Sequence, residues 1–334
     1  MSVPLLGPGV RRDERNEGWF RAPGFYFSPF CNPMTQPLDV SPGAPGAEVA
    51  IDVALVRALL AAQHADLAGL TIEPAATGWD NATFRLGEAL AVRMPRRAAA
   101  AGLIMIEQYW LPQLAPRLPL PVPAAVRVGR PGEGYPWAWS VVPWLAGEPA
   151  DLAPPGDGAA ATLAGFLRAL HLPAPDHAPR NPYRGVPLEE RESAVEERLA
   201  RLERSTGLVT PLIRRLWRRA LAAPIDAGPV WLHGDPHAKN VLTLDGDISA
   251  MIDWGDMCAG DPASDLSAIW MLLASSSARQ AAKLAYGSQS EATWVRAQGW
   301  AIAFAAMLSD AGRADDPRLA AMGERTFARV NEDG

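Results

Sequence analysis

The sequence predicts an α+β chain, with a small antiparallel sheet in its first part and a larger, mainly helical second part. Three observations carry this. Short strand-like runs separated by turn residues crowd the stretch from 71 to 145. Apolar residues at helical spacing dominate from 159 onward. Between those helical stretches only three strand-like runs occur, near 230, 241 and 250.

The elements follow in order. Residues 1–47 mix Pro, Gly and charge without period and end in SPGAPGAE, so they are expected to be a disordered leader, with residues 1–33 dispensable. Asp52 is placed to cap a helix over VALVRALLAAQ. Residues 71–74, 83–86 and 89–93 read as short strands, with GWDN (78–81) and Gly87-Glu88 as turns. A helix over 98–111 should stop at Pro112, and AAVRVG (124–129) and AWSVVPWL (138–145) supply two more strands. Helical periods then cover 159–170, 188–204, 209–222, 262–285 and 291–309. This divides the chain into the leader, an N-terminal part over 48–145 and a C-terminal part over 146–334.

Composition bounds the function. The chain has 334 residues, 49% hydrophobic and 20% charged, enough for a sizeable core. A net charge of −6 without a long basic run argues against nucleic acid as a partner. No apolar run reaches the roughly 18 residues of a membrane span, so no membrane partner is expected. Cys31 and Cys258 are isolated from each other, which fits a reducing compartment, and the chain reads as cytoplasmic.

The chemistry concentrates in WLHGDPHAKN, residues 231–240. Its apolar lead-in reaches His233-Gly234-Asp235, and Asn240 opens the strand-like run Val241 to Leu244. Asp245-Gly246-Asp247 should turn the chain, and Ile248 to Ile252 should run back to Asp253. Such a hairpin brings Asp235, Asn240 and Asp253 to one end. Their hard oxygens suit Mg²⁺. The same residues leave a second reading open, in which His233, Asp235 and His237 ligate zinc or manganese in a hydrolase.

The two spaced motifs, HGDPHAKN and IDWGD, follow the layout of a kinase catalytic loop and metal-binding loop. With Gly at the second position of the first, they resemble the aminoglycoside phosphotransferase family over roughly residues 50–310. The resemblance implies a protein-kinase-like two-lobe fold and a phosphotransferase that moves the γ-phosphoryl of ATP or GTP to a small-molecule hydroxyl. It implies Asp235 as catalytic base, Asn240 and Asp253 as ligands of Mg²⁺, and His233 and Asp265 as supports of the loop backbone. His237 and Lys239 lie where a cation would face the transferring phosphoryl. On the nucleotide side it implies a phosphate loop at Gly78, Trp79 and Asn81, and a phosphate-gripping basic residue at the end of a strand. Many relatives use lysine there; both lysines of this chain lie elsewhere, at 239 and 283, and Arg93 takes the place. Glu107 is implied to orient it. Val141 and Val142 are implied to belong to the hinge at the adenine. An intact fold without turnover is the alternative that Arg93 leaves open.

The acceptor is less constrained. Residues 256–334 carry ten acidic and seven basic side chains, a small excess for a polycation pocket. Trp254, Trp270, Trp294, Trp300 and Phe304 could stack on a sugar or lactone, or simply fill a helical core. An antibiotic such as a macrolide or aminoglycoside, or a metabolite, fits the resemblance equally.

Overall fold

The computed structural model describes residues 46–334; residues 1–45, with the expected leader and Cys31, lie outside the described residues. Helix α1 (Val53–Gln63) begins where Asp52 accepts the Leu55 N–H at 2.8 Å, the cap expected from the sequence. Three antiparallel strands follow, β1 (Ile72–Thr77), β2 (Asn81–Leu86) and β3 (Leu90–Pro95), each longer than the sequence pattern suggested. Helix α2 (Ala98–Leu114) runs through Pro112 instead of stopping before it. Pro112 lies in the last turn, and Leu111 and Leu114 on either side are buried in the larger core, which offsets the missing backbone bond. Strands β4 (Arg127–Gly129) and β5 (Trp139–Pro143) complete a five-stranded antiparallel sheet in the order β1-β2-β3-β5-β4. One face of this sheet and α1 enclose a first hydrophobic core around Leu59, Phe84, Val92 and Trp139.

The second core is mainly helical. Strand β6 (Glu148–Pro149) leads into α3 (Ala159–Leu170); a 3₁₀ turn at Leu188–Arg191 leads into α4 (Glu192–Ser205), and α5 (Pro211–Leu221) starts at the Thr210 cap. Strand β7 (Val230–Leu232) pairs antiparallel with β10 (Cys258–Gly260), and β8 (Val241–Leu244) forms the expected hairpin with β9 (Asp247–Met251). Asp245 and Gly246 both have positive φ, 52° and 81°, as a two-residue type I′ turn requires.

The single helix expected over 262–285 is three: α6 (Ala263–Leu266), α7 (Ala268–Leu272) and α8 (Ser276–Tyr286). Leu273 is extended, and Ser275 restarts the helix by accepting the Ala278 N–H at 3.1 Å, so local serine capping overrides the continuous apolar pattern. Helix α9 (Glu291–Asp315) is longer than expected, and α10 (Pro317–Glu332) was not anticipated. Asp316 caps α10 with Pro317 in its first turn, a start signal in plain view. The two helices pack together over the core that holds Trp217, Trp254, Trp270 and Trp300. Among the described residues no helix is long and apolar enough to cross a membrane.

Candidate active site

The loop after β7 is fixed from beneath by one carboxylate. Asp265, fully buried at the start of the helical segment, accepts the His233 N–H at 2.6 Å through Oδ2 and the Gly234 N–H at 2.9 Å through Oδ1. His171 stands 3.4 Å from Oδ2 and is held in turn by the Tyr286 hydroxyl at 2.8 Å. His233 closes the loop from the other side. Its Nδ1 accepts the Asp235 N–H at 3.2 Å and its Nε2 lies 3.0 Å from the Ile252 carbonyl. An amide can only donate and a carbonyl only accept, so the ring is the neutral Nε2–H tautomer. Gly234 sits at φ +87°, and a Cβ there would meet the Asp256 carbonyl oxygen at 2.3 Å.

This geometry removes the zinc or manganese hydrolase reading. Both nitrogens of His233 are committed to backbone groups, so no lone pair remains for a metal. No group of three or more His, Cys, Asp or Glu side chains that could hold a metal occurs among the described residues.

Asp235 projects from the fixed loop into a ring of donors. Its Oδ1 accepts from Arg184 Nη2 at 3.1 Å; its Oδ2 faces His237 Nε2 at 3.3 Å and Asn240 Nδ2 at 3.3 Å. Burial alone would push this carboxyl up. The His237 and Arg184 side chains outweigh it and hold the group below the usual carboxylate range. Asp235 is therefore an ionised carboxylate at neutral pH.

Asn240 and Asp253 meet as the hairpin predicts: the Ile252 N–H donates to the Asn240 carbonyl at 2.9 Å, which sets the next residue, Asp253, beside the loop. Asn240 spends its amide nitrogen on the Asp235 carbonyl at 3.0 Å and on the Asp235 carboxylate, so its amide oxygen is the group left to bind a cation. Asp253 has φ +59°, a conformation uncommon outside glycine, and its side chain is 51% exposed. Its Oδ1 accepts from Arg93, while Oδ2 has no partner among the described residues. One amide oxygen and one half-exposed carboxylate fit a Mg²⁺ ion that completes its shell with phosphate and water.

Arg93 joins the two parts of the chain. It lies on β3 with only 7% of its surface exposed, ion-paired to Glu107 of α2 through Nη1 and to Asp253 at 2.9 Å through Nη2. Burial disfavours its charge, but Glu107 and Asp253 overcome that and hold the guanidinium above the usual arginine value. The neighbouring arginines do something else. Arg96 Nη1 donates to the Gly78 carbonyl at 2.7 Å and Arg97 pairs with Asp80 at 2.7 Å, tying down the β1–β2 turn. Within that turn the Gly78 N–H reaches the Asn81 carbonyl at 2.9 Å, Trp79 is 41% exposed, and Asn81 Oδ1 is buried without a partner among the described residues. Burial, with Asp253 and Asp235 adding to it against Arg97, pushes the Asp80 carboxyl up, so this turn looks onto the same acidic centre.

Several expected residues take other positions. Val141 and Val142 are buried inside β5, and the Val141 carbonyl already accepts the Val126 N–H at 2.8 Å. Strand pairing on both sides leaves Val141 no backbone group for a base. Lys239 pairs with Asp316 at the α10 cap, Nζ to Oδ2 at 2.5 Å, and makes no contact with Asp235 among the described residues. Of the aromatic candidates, Trp254 and Trp270 are core side chains, and Trp300 and Phe304, also at most 2% exposed, back a cleft beside Arg184.

Sequence reasoning missed Arg184, which contacts Asp235, stands 3.8 Å from Asp256 and packs on the Phe304 ring at 4.9 Å. Asp256 in turn accepts from Asn181 Nδ2 at 2.7 Å. Both Asn181 and Arg184 lie in the irregular segment between α3 and α4, where no periodic pattern singles them out.

A model of the phosphotransferase enzyme family matches residues 71–300, well over half of the chain. Among curated proteins none matches significantly in sequence. Solved structures match the fold. The GDP complex of wild-type aminoglycoside 2'-phosphotransferase-IIIa is 16% identical with a TM-score of 0.58, covering 84% of this chain and 98% of that one. Macrolide 2'-phosphotransferase MphH from Brachybacterium faecium is 23% identical with a TM-score of 0.53, covering 84% of this chain and 98% of that one. ADP-bound aminoglycoside phosphotransferase APH(2'')-Ib is 17% identical with a TM-score of 0.53, covering 83% and 99%. The architecture is thus the kinase-like one of small-molecule phosphotransferases, and the chain belongs to the phosphotransferase enzyme family.

Proposed function

We propose that this enzyme transfers the γ-phosphoryl group of ATP or GTP to a hydroxyl of a small molecule, such as an aminoglycoside, a macrolide or a metabolite, in the cytoplasm. The observation that carries this reading is Asp235. It is an ionised carboxylate on a loop locked by Asp265 and His233, with Asn240 and Asp253 beside it. Structural neighbours with this fold hold GDP or ADP, which supports a nucleoside triphosphate as cosubstrate.

In the proposed reaction, Asp235 accepts the hydrogen bond of the acceptor hydroxyl and aims its oxygen at the γ-phosphorus. A new O–P bond forms as the bond from that phosphorus to the β–γ bridging oxygen breaks in line. The hydroxyl proton passes to Asp235 and then to solvent, leaving a phosphate ester and a nucleoside diphosphate. The low proton affinity of Asp235 suits a positioning base in a loose transition state, where the proton moves late. Mg²⁺, when held by Asn240 and Asp253 with the phosphates, would neutralise charge on the leaving group. Arg93 orients Asp253 and offers its guanidinium to the phosphates, with Glu107 fixing its plane.

The Gly78–Asn81 turn, held by Arg96 and Arg97, covers the phosphates in this reading. Residues 48–145 form the nucleotide lobe and 146–334 the catalytic and acceptor lobe, after a leader over 1–47. The adenine or guanine contact falls after β5, in residues 144–147, because the backbone of Val141 is occupied. Lys239 serves as an anchor of the loop to α10. A nucleotide-consumption screen of ATP and GTP against a hydroxyl-bearing panel tests the reading. Acceptor-dependent release of diphosphate is expected, and its absence across antibiotics, sugars, amino alcohols and hydroxy acids would overturn it.

A further inference from the structure

A narrow cleft, open to solvent, lies beside Arg184, between the 181–191 segment, α4 and α9. Its walls carry Arg184, Arg191 and Arg198, with Trp300, Phe304 and Met307 as the apolar side. Among the described residues no carboxylate lines it. From these walls we infer that the acceptor is an anion, a hydroxyl-bearing molecule with a carboxylate or phosphate group on an apolar or aromatic body. This rests on the phosphotransferase reading above and narrows its substrate class.

The charge inventory supports it. Arg184 is balanced by Asp235 and Asp256, at 3.1 and 3.8 Å. Arg198 has only a long 3.9 Å approach to Asp310, whose carboxylate is taken by Arg201 at 2.7 Å. Arg191 has no ion pair among the described residues and lies over the Tyr183 ring at 5.1 Å, with Glu190 the nearby acid. Burial, and then the Arg184 and Arg198 charges, push the Arg191 guanidinium below its ordinary value. Burial does the same to Arg198, with Arg201 adding to it and Asp310 opposing. The walls are also rich in donors and poor in acceptors: Arg184 Nε and Trp300 Nε1 are buried without a partner among the described residues. An anionic oxygen would satisfy such donors and relieve the arginine repulsion, whereas a polycation would worsen it. The hydroxyl of the same molecule would reach the base, because Arg184 forms one wall of the cleft and is bonded to Asp235.

The test uses 3-phenyllactate and longer ω-phenyl hydroxy acids, each paired with its primary amide, and phenylalaninol as a cationic counterpart. Binding to the full-length protein with nucleotide is measured by calorimetry, and transfer is measured separately. Acids should bind roughly 10- to 100-fold tighter than their amides. Arg191→Gln should erase that preference, Arg191→Lys should restore part of it, and Arg191→Glu should favour phenylalaninol, each with melting temperature as the folding control. Acids and amides binding equally to the wild type, or an unchanged preference in folded Arg191→Gln, would overturn the anionic acceptor. Acid-selective binding with no transfer to any panel member would leave the cleft standing and count against the phosphotransferase reading instead.

Discussion

Arg93→Ala separates what the buried ion pair does for the fold from what it does for the nucleotide. The substitution leaves the Glu107 carboxylate, whose side chain is only 5% exposed, without its counter-charge, and removes a donor from Asp253. Breaking a buried pair from one side costs about 3–5 kcal/mol, because the abandoned charge stays desolvated. At roughly 2–4 °C per kcal/mol for domains of 150–250 residues, the melting temperature should fall by about 6–20 °C. Replacing both partners with apolar residues, Arg93→Met with Glu107→Leu, should recover much of that loss. It should not recover Mg-ATP affinity, since no guanidinium remains for the phosphates. Thermal unfolding and calorimetry on these three proteins give both quantities. If Arg93→Ala melts with the wild type, the pair is not structural. If the apolar double variant binds nucleotide as tightly as the wild type, Arg93 does not grip phosphate.

Three further outcomes follow from the same geometry. Asp265→Asn removes one of two acceptors for the His233 and Gly234 amides, so it should cost about 1–3 kcal/mol and expose those amides to hydrogen exchange; unchanged protection would remove Asp265 from loop support. The Asp235 carboxyl lies below its ordinary value, so its stabilising contribution is complete above the unfolded value of about 3.9 and is lost as pH falls through the lower folded value. The acid limb of the transfer rate should accordingly lie below about pH 4, and an Asp235-dependent limb between about pH 6 and 7 would contradict the assignment. Lys239→Met breaks a partly exposed pair with Asp316, so stability should fall by at most about 1 kcal/mol and turnover should survive; a collapse of turnover with the fold intact would return Lys239 to the phosphoryl group.

The polar centre was legible because it is local. HGDPHAKN and IDWGD sit on a hairpin whose two-residue turn is written in Asp245-Gly246, so the meeting of Asn240 and Asp253 follows from strand pairing alone. The Arg93–Glu107 pair was reachable from the resemblance, since one strand and the next helix carry it. Arg184 was not, because it comes from an irregular segment 51 residues away whose position depends on packing around Gly185 and Gly260. Val141 and Val142 were placed at a hinge by the resemblance, and only the flanking β3 and β4 ladders show the Val141 backbone to be occupied. The helix breaks at 267 and 273–275 were hidden by a continuous apolar period, while Asp316-Pro317 was a readable start that the pattern count passed over.

The central claim is that Asp235 receives the acceptor hydroxyl, and Asp235→Asn tests it most directly. Asparagine keeps the size and one oxygen of the side chain but cannot accept the proton, while Asn240, Asp253 and Arg93 remain to hold the nucleotide. Transfer of the γ-phosphoryl group from a bound nucleoside triphosphate to an acceptor from the screen should fall by roughly 10²- to 10⁴-fold in a single turnover, with the fold retained and nucleotide affinity near that of the wild type. Single-turnover transfer at the wild-type rate in the folded variant would contradict the account.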